Sequence, residues 1–277
     1  MTRPSRGRGV PLTKSVRRPP RHFAALLVLA AFAAVLAWPA SCSAADDRAV
    51  VGRRRVVIMR TGRLARQFPE RRRAVLNLPV ISGLSNPSVL RNVRATLDLK
   101  NVFGTSLAEY RQDAWLEELD FKVNYNKRHI LDISFWQSGT GAYPDTHHAH
   151  FAVSLRTGDV LKAQDVFEPA SLYALAGMAH EKLRAEVAQQ IKVVEEDKEL
   201  SADADGLNGI KEQLSGLSFN VEHLDNFEVG DAGLTFLYDA GFPHVIQAIQ
   251  PDGRYFFTYA QLAPYVRRDG PLGVFLK

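Results

Sequence analysis

The sequence predicts an α+β domain: an antiparallel sheet with helices packed on one face, preceded by a signal peptide. Three observations carry that expectation. Two alternating apolar and polar stretches, Leu119–Tyr125 and Ile130–Trp136, flank a polar turn, which is the pattern of an antiparallel hairpin. One long amphipathic stretch, Pro169–Glu199, supplies a helix with a single apolar face to lay on a sheet. An apolar run, Phe23–Trp38, follows an arginine-rich start and precedes small residues, the three-part layout of an export signal.

The chain divides into residues 1–45, a signal peptide or membrane anchor; residues 46–73, an arginine-rich linker or edge strand; and residues 74–277, the α+β domain. In the first part, Ala44 or Ala45 offers the small side chain that a signal peptidase needs. Extending the apolar run to Ala45 gives an uncleaved anchor as the alternative. Ala40-Ser41-Cys42 offers a lipoprotein acceptor, against which stands Pro39 in the place of the usual leucine. The expected location is periplasmic or otherwise extracytoplasmic. Membrane contact is expected only through residues 1–45, if they are retained or lipidated.

Charge then excludes one class of function. The formal net charge is +5, from 35 basic and 30 acidic residues. Seven of the basic residues lie before His22, so from Asp46 onward 28 basic residues face 30 acidic ones. The basic excess belongs to the leader and gives no reason to expect a nucleic-acid partner. Residues 46–73 carry ten arginines and three acids, whereas residues 74–277 carry 18 basic and 27 acidic residues. The bland reading of Arg53-Arg54-Arg55 and Arg71-Arg72-Arg73 is a solvated linker or edge strand; the sharper one is contact with anionic lipid headgroups. Cys42 is the one cysteine, so the domain after the leader has neither a disulfide nor a thiolate zinc site.

The elements follow in order. Ala74–Ile81 has strand character, with Pro79 marking an edge or an end. Asn86-Pro87 opens a helix, since Asn caps and Pro is preorganised at the first helical position. Val89, Leu90, Val93 and Leu97 give it an apolar face that blurs at Leu99, and Gly104 is placed to break it. In the hairpin, Leu119, Phe121, Val123 and Tyr125 share one face of the first strand. Leu131, Ile133 and Phe135 oppose Asp132, Ser134 and Trp136 on the second, with Asn126–His129 as the turn. A crossover at Gly139–Pro144 leads to a third strand, His147–Leu155. Its core face holds His147, Ala149, Phe151, Val153 and Leu155; its open face holds His148, His150, Ala152 and Ser154. Thr157-Gly158-Asp159 turns the chain, and Asp165-Val166-Phe167 starts a short helical piece. In the long helix, Leu172, Leu175, Ala179, Leu183, Val187, Ile191 and Val194 form the stripe. Ser201–Gly209 is expected as a loop, Ile210–Leu214 as a short helix, Leu234–Tyr238 and Tyr255–Thr258 as strands, and Tyr259–Tyr265 as a last helix.

The candidate site residues are Trp136, Tyr143, His148 and His150 for binding. His148, His150 and Asp132 form a weak metal set, because two histidines two apart on a strand share a face. The bland alternative is a polar sheet face with hydrogen-bonded histidines. Ser138 sits in Gln137-Ser138-Gly139-Thr140-Gly141, expected as a glycine-rich turn, with no nucleophile elbow and no phosphate loop around it. Ser201–Glu212 loosely mimics a calcium loop through Asp203, Asp205, Gly206 and Glu212, although an acidic loop explains it as well. Glu117-Glu118 and Glu195-Glu196 are neighbours that should point apart, as solvated charges rather than an acid–base dyad. No cofactor is implied.

Four segments together carry a resemblance: VISGLSNPSVLRNVRAT, FKVNYNKRHILDISFW, GAYPDTHHAHFAVSLRTGDVLKAQDVF and FEVGDAGLTFLYDAGFPHVIQAI. Over roughly residues 75–266 the chain resembles a bacterial envelope domain of unknown function. That domain is found in the extracytoplasmic part of the lysozyme-sensing anti-sigma factor and as the accessory domain of certain peptidoglycan deacetylases. The most specific piece is Leu155-Arg156-Thr157-Gly158-Asp159 followed by Asp165-Val166-Phe167. The resemblance implies an exported α+β fold without catalytic residues of its own. Tyr143 stands before Pro144 where many relatives have histidine. With 22 residues ahead of the apolar run, the sigma-binding role of the anti-sigma relatives is not expected here, and neither is the deacetylase activity, for which the chain shows no motif.

The expected function is therefore an exported, non-enzymatic envelope domain that binds a protein partner or cell-wall glycan. Trp136 and Tyr143 are the candidate sugar-stacking residues, and the acidic balance of residues 74–277 suits a cationic protein partner. The alternative is a metal-dependent or other hydrolase acting on envelope material through the His148/His150 region.

Overall fold

The computed structural model describes residues 47–198 and 203–276. The leader, with Cys42, and Ser201 of the calcium-loop comparison lie outside the described residues. Among the described residues no helix is long and apolar enough to cross a membrane.

Strand β1 (Val50–Met59) leads through helix α1 (Gly62–Gln67) to strand β2 (Arg73–Ser82), and the two strands pair antiparallel over ten consecutive residues. Arg60, 2% exposed, closes this connection. Its guanidinium donates to the carbonyls of Asp113 at 2.6 Å, Arg71 at 2.5 Å and Leu116 at 2.5 Å, so the buried charge finds three acceptors where the backbone would otherwise lack donors. Burial lowers its pKa, against the pull of Asp113 and Glu117. Pro79 sits inside β2 rather than at its end; β2 meets strand β3 (Leu116–Lys127) only at Val75 and Leu76, so no ladder bond toward β3 is lost at Pro79.

Three short helices follow: α2 (Pro87–Thr96), α3 (Leu99–Phe103) and α4 (Leu107–Tyr110). The Asn86 side chain accepts from the backbone N–H groups of Ser88 and Val89, as its position before Pro87 predicts. Gly104 ends α3 in the left-handed conformation. Ser106 and Glu109 form a reciprocal capping box on α4, and the backbone N–H of Ser106 holds the Glu109 carboxyl down at about 2. The group's ordinary value is 4.5, so its folded pKa is depressed. The cap's contribution is thus complete above about pH 4.5 and lost as the pH falls toward 2. In thermal melts, wild type should exceed Glu109→Gln at pH 6, with the gap closing by pH 2; a gap that persists at pH 2 contradicts this cap.

Strands β3 (Leu116–Lys127), β4 (Ile130–Thr140) and β5 (Pro144–Ser154) form an antiparallel meander. The five-stranded sheet has the order β1-β2-β3-β4-β5, and β2–β3 is its one parallel pair among the described residues. The β3–β4 turn is shorter than expected. Only Arg128 and His129 lie in it, with φ of 53° and 62°, the twist that closes a two-residue hairpin. The expected crossover at Gly139–Pro144 is also a tight hairpin, because β4 runs to Thr140 and β5 starts at Pro144. Pro is tolerated at that first position of an edge strand.

A bulge between Val123 and Tyr125 corrects the expected face of Tyr125. The extra residue, Asn124, rotates Tyr125 to the side of Asp132, away from Val123. There its ring meets Phe275 at 5.9 Å between centroids, while its buried hydroxyl has no hydrogen-bond partner among the described residues. Burial raises its pKa. Removing that hydroxyl removes a desolvated donor, so Tyr125→Phe should leave stability unchanged or raise it by about 1 kcal/mol in urea unfolding. A loss of similar size would show that the hydroxyl is bonded in solution.

The second half opens with helix α5 (Ala163–Val166) and the long helix α6 (Leu172–Glu196), then helix α7 (Ala204–Ser215). Leu175, Ala179, Leu183, Val187 and Val194 of the expected stripe are buried. The expected loop at Ser201–Gly209 gives way to α7, which Asp203 caps by accepting from the Asp205 N–H. Among the described residues, Asp203, Asp205 and Glu212 are thus a cap and helix positions of α7. A second antiparallel sheet, β6 (Phe227–Val229), β7 (Gly233–Leu237) and β8 (Arg254–Thr258), is followed by helix α8 (Tyr259–Leu262). The Asp165-Val166-Phe167 piece is fixed by the tail: Phe167 bridges Val266, and the Arg267 N–H donates to the Val166 carbonyl.

Helices α2 and α3 pack on one face of the main sheet, and its other face is met by the second sheet, on which α6 packs. Leu131 and Ile133 pack with Val89, Val93 and Leu97 of α2. Their neighbours in sequence, Ile130 and, on β5, Ala152, point the other way into the cluster built by α6 and the second sheet. Val123 and Phe121 keep the α2 side.

Candidate functional site

The second sheet covers only one end of its face of the main sheet. At that end β4 places Asp132 and β5 places His150. The register sets Asp132 beside Ala152 and Ser134 beside His150, so the two side chains are diagonal neighbours on one face. His150 Nε2 lies 2.8 Å from Asp132 Oδ1, with the two side chains 7% and 0% exposed. Asn124 donates to Asp132 Oδ1 at 2.9 Å and to the Ser134 hydroxyl at 2.7 Å. The Val229 N–H donates to Asp132 Oδ2 at 2.7 Å. One carboxylate therefore links β3, β4 and β5 to β6 of the second sheet.

His150 is on the face expected to be open, yet its side chain is largely covered. His147, expected on the core face, is exposed, with its ring 5.1 Å from that of Trp115. The alternation is right in both cases. The cover is uneven: α2 shields the odd positions only toward Val153 and Leu155, and the second sheet shields the even positions from Ala152 to His150. His148 lies one pair further along, opposite Trp136, and is exposed. The Asp132 and His150 side chains are thus in contact and His148 stands apart from them. Among the described residues no three His, Cys, Asp or Glu side chains are grouped to hold a metal ion.

Beyond this covered end the face is open and polar. Two depressions run across it, of ≈ 510 and ≈ 540 Å³, and share Glu117 and Ser138. The first adds Arg55, Asn77 and Glu118. The second adds Thr140, Thr146 and His148 from the β4–β5 hairpin, and Gln247 and Gln250 from the segment that follows Pro243. Ser138 belongs to β4, opposite Thr146 and Glu118, and not to a glycine-rich turn. Glu117 and Glu118 both line the first depression, at a bulge between Leu116 and Glu118.

Tyr143, 65% exposed, stands in the β4–β5 turn at the rim of the second depression. Its ring stacks on His244 at 5.1 Å and 20°. Trp136 is half-buried between Asp120 on β3 and His148 on β5. Of the four expected binding residues, Tyr143 and His148 flank the open groove, Trp136 is on the same face, and His150 belongs to the buried pair. Gln247, Gln250 and His244 escaped the sequence reading. They lie in an irregular segment whose approach to the hairpin is set by folding alone, and no spacing signals it.

These features define a mixed α/β domain with an antiparallel-dominated sheet and one open, polar sheet face. No family model and no curated protein sequence matches the chain. Among solved structures, the chain is similar to a member of the DUF3298 family from Bacteroides fragilis NCTC 9343. That match has a TM-score of 0.51 at 14% identity and covers 83% of this chain and 96% of the other. A DUF3298 family protein from Pseudomonas aeruginosa PAO1 gives a TM-score of 0.49 at 14% identity, covering 79% and 94%. The likeness concerns the fold, that of a domain family of unknown function.

Proposed function

We propose that this chain is an exported, non-enzymatic envelope domain that binds cell-wall glycan in the groove between the β4–β5 hairpin and residues 244–250. The observation that carries the reading is the groove's chemistry. Ser138, Thr140, Thr146 and Gln247 line one open depression, together with Gln250, whose amide is held by the Phe242 N–H and Asp239, and the stacked Tyr143–His244 pair lies in the two segments that flank it. Neutral donors and acceptors beside an exposed aromatic plate suit a polyhydroxylated ring. The signal-peptide pattern of residues 1–45 and the sequence resemblance to envelope domains of the anti-sigma factor and the deacetylases support the same reading. Against the hydrolase alternative, His150 and Asp132 satisfy one another, Asn124 and the Val229 N–H under the second sheet, so neither is presented to a substrate.

The test is titration calorimetry of the full chain with purified peptidoglycan fragments. Binding should weaken about tenfold in His148→Ala/Gln247→Ala with an unchanged thermal midpoint, the loss of two peripheral polar contacts. No binding by wild type, or equal binding by the variant, removes the proposal. Glu117 and Asp145 in the same groove favour a cationic protein partner as the second reading. Salt separates the two, because binding to a cationic partner collapses with ionic strength and glycan binding does not.

A further inference from the structure

The main sheet has two edges, and they differ. On β5 the outer side is guarded. Pro144 begins the strand, Val153 bridges Val160, and the Leu161 N–H donates to the Ala152 carbonyl. On β1 no such device exists: the strand is ten residues long, has no proline and no bulge, and pairs with β2 without interruption. Among the described residues nothing pairs with its outer side. Val50 and Met59 near its ends are 60% and 55% exposed. Alternate residues of such a strand direct both backbone groups outward, a row of donors and acceptors ready for another strand.

The side chains on this edge select what can join it. Arg53 is committed to Asp120 and to the Phe121 carbonyl, whereas Arg54 and Arg55 are exposed and in no ion pair among the described residues. A second copy pairing antiparallel about Arg54 would set Arg53 against Arg55 and Arg54 against itself. Like charges directly opposite destabilise such a ladder. The same arginines attract an acidic strand, one on each face of the sheet. We infer that the outer edge of β1 is a docking site for an extended acidic peptide segment of another protein, which adds as a sixth strand beside Arg54 and Arg55. This is strand addition: the backbone row supplies affinity and the arginines supply selection. It lies at the sheet edge opposite the β4–β5 hairpin; Arg55 borders the first depression, and the groove's hairpin residues, Gln247 and Gln250 take no part in it.

The probe is a fluorescent octapeptide of alternating Glu and Val, followed by anisotropy with the full chain. Saturable binding is expected, weakened about tenfold in R54E/R55E at an unchanged thermal midpoint, and lost when alternate peptide nitrogens are methylated. The methylated peptide leaves the protein untouched, so its failure to bind reports backbone pairing whatever the variant does to folding. Equal binding of the methylated peptide overturns the inference, as does equal binding of a Lys-for-Glu peptide. Two further results overturn it in favour of another occupant: binding to phosphatidylglycerol vesicles with none to the peptide, or a dimer that forms without peptide and that R54E/R55E does not affect.

Discussion

Asp132→Ala is expected to cost about 4 kcal/mol of folding stability, the scale for removing a fully buried carboxylate and leaving its several buried partners unsatisfied. The carboxylate is 0% exposed and accepts from Asn124 at 2.9 Å and the Val229 N–H at 2.7 Å, with His150 at 2.8 Å. Alanine removes the acceptor and leaves all of these groups buried. The Val229 N–H is the costliest orphan, because no side-chain movement can carry a backbone amide to water. Asp132→Asn keeps the volume and one acceptor oxygen, so it should cost about half as much. For a domain of this size the alanine variant should melt roughly 8–16 °C below wild type. Amide exchange adds a local readout: the Val229 N–H should lose protection ahead of the α2 side of the sheet. A loss below about 1 kcal/mol would mean that the carboxylate contributes nothing net over apolar packing, a known fate of buried pairs.

That result would also settle what kind of residues Asp132 and His150 are. Their two-strand spacing made them look like part of a site, and the register did bring them together. Period-two alternation told which face each occupied. It could not tell which stretch of that face was covered, since the cover comes from β6–β8, nearly a hundred residues later in the chain. The same limit explains His147, placed on a core face that α2 does not reach.

Local signals elsewhere survived intact. The Asn86 cap, the α6 stripe and the β3–β4 hairpin rest on contacts within a few residues, and each stands in the structure. The parallel β2–β3 contact, the short β6 and the Tyr125 bulge rest on no such local signal. A bulge needs one residue out of pattern, and Asn124 looks like an ordinary polar strand position until its amide is seen reaching Asp132 and Ser134. The groove is the least legible feature. Its far wall is Gln247 and Gln250, neutral residues in an irregular segment, and neither periodicity nor charge marks them.

Gly158→Ala is the second large effect, at about 3 kcal/mol. Thr157-Gly158-Asp159 is the most specific piece of the resemblance, and the structure gives it a mechanical role. Asn92 Nδ2 donates to the Thr157 carbonyl at 3.1 Å and the Thr96 hydroxyl to the Gly158 carbonyl at 3.2 Å, so this turn docks α2 onto the sheet. Gly158 has φ +88°, and a Cβ there would come 2.4 Å from Asn92 Cβ and 2.9 Å from the Val89 carbonyl oxygen. Backbone strain alone accounts for about 1 kcal/mol of the loss. The remainder is steric, since the clash is with the helix itself and relief requires lifting α2 off Leu131 and Ile133. Gly104 separates the two terms. It has φ +71° with nothing within 4 Å of an added Cβ, so Gly104→Ala should cost only the backbone share. Urea unfolding of the two variants should therefore differ by about 2 kcal/mol. Equal losses would mean that the turn yields without moving the helix, and that the glycine is required only for its backbone conformation.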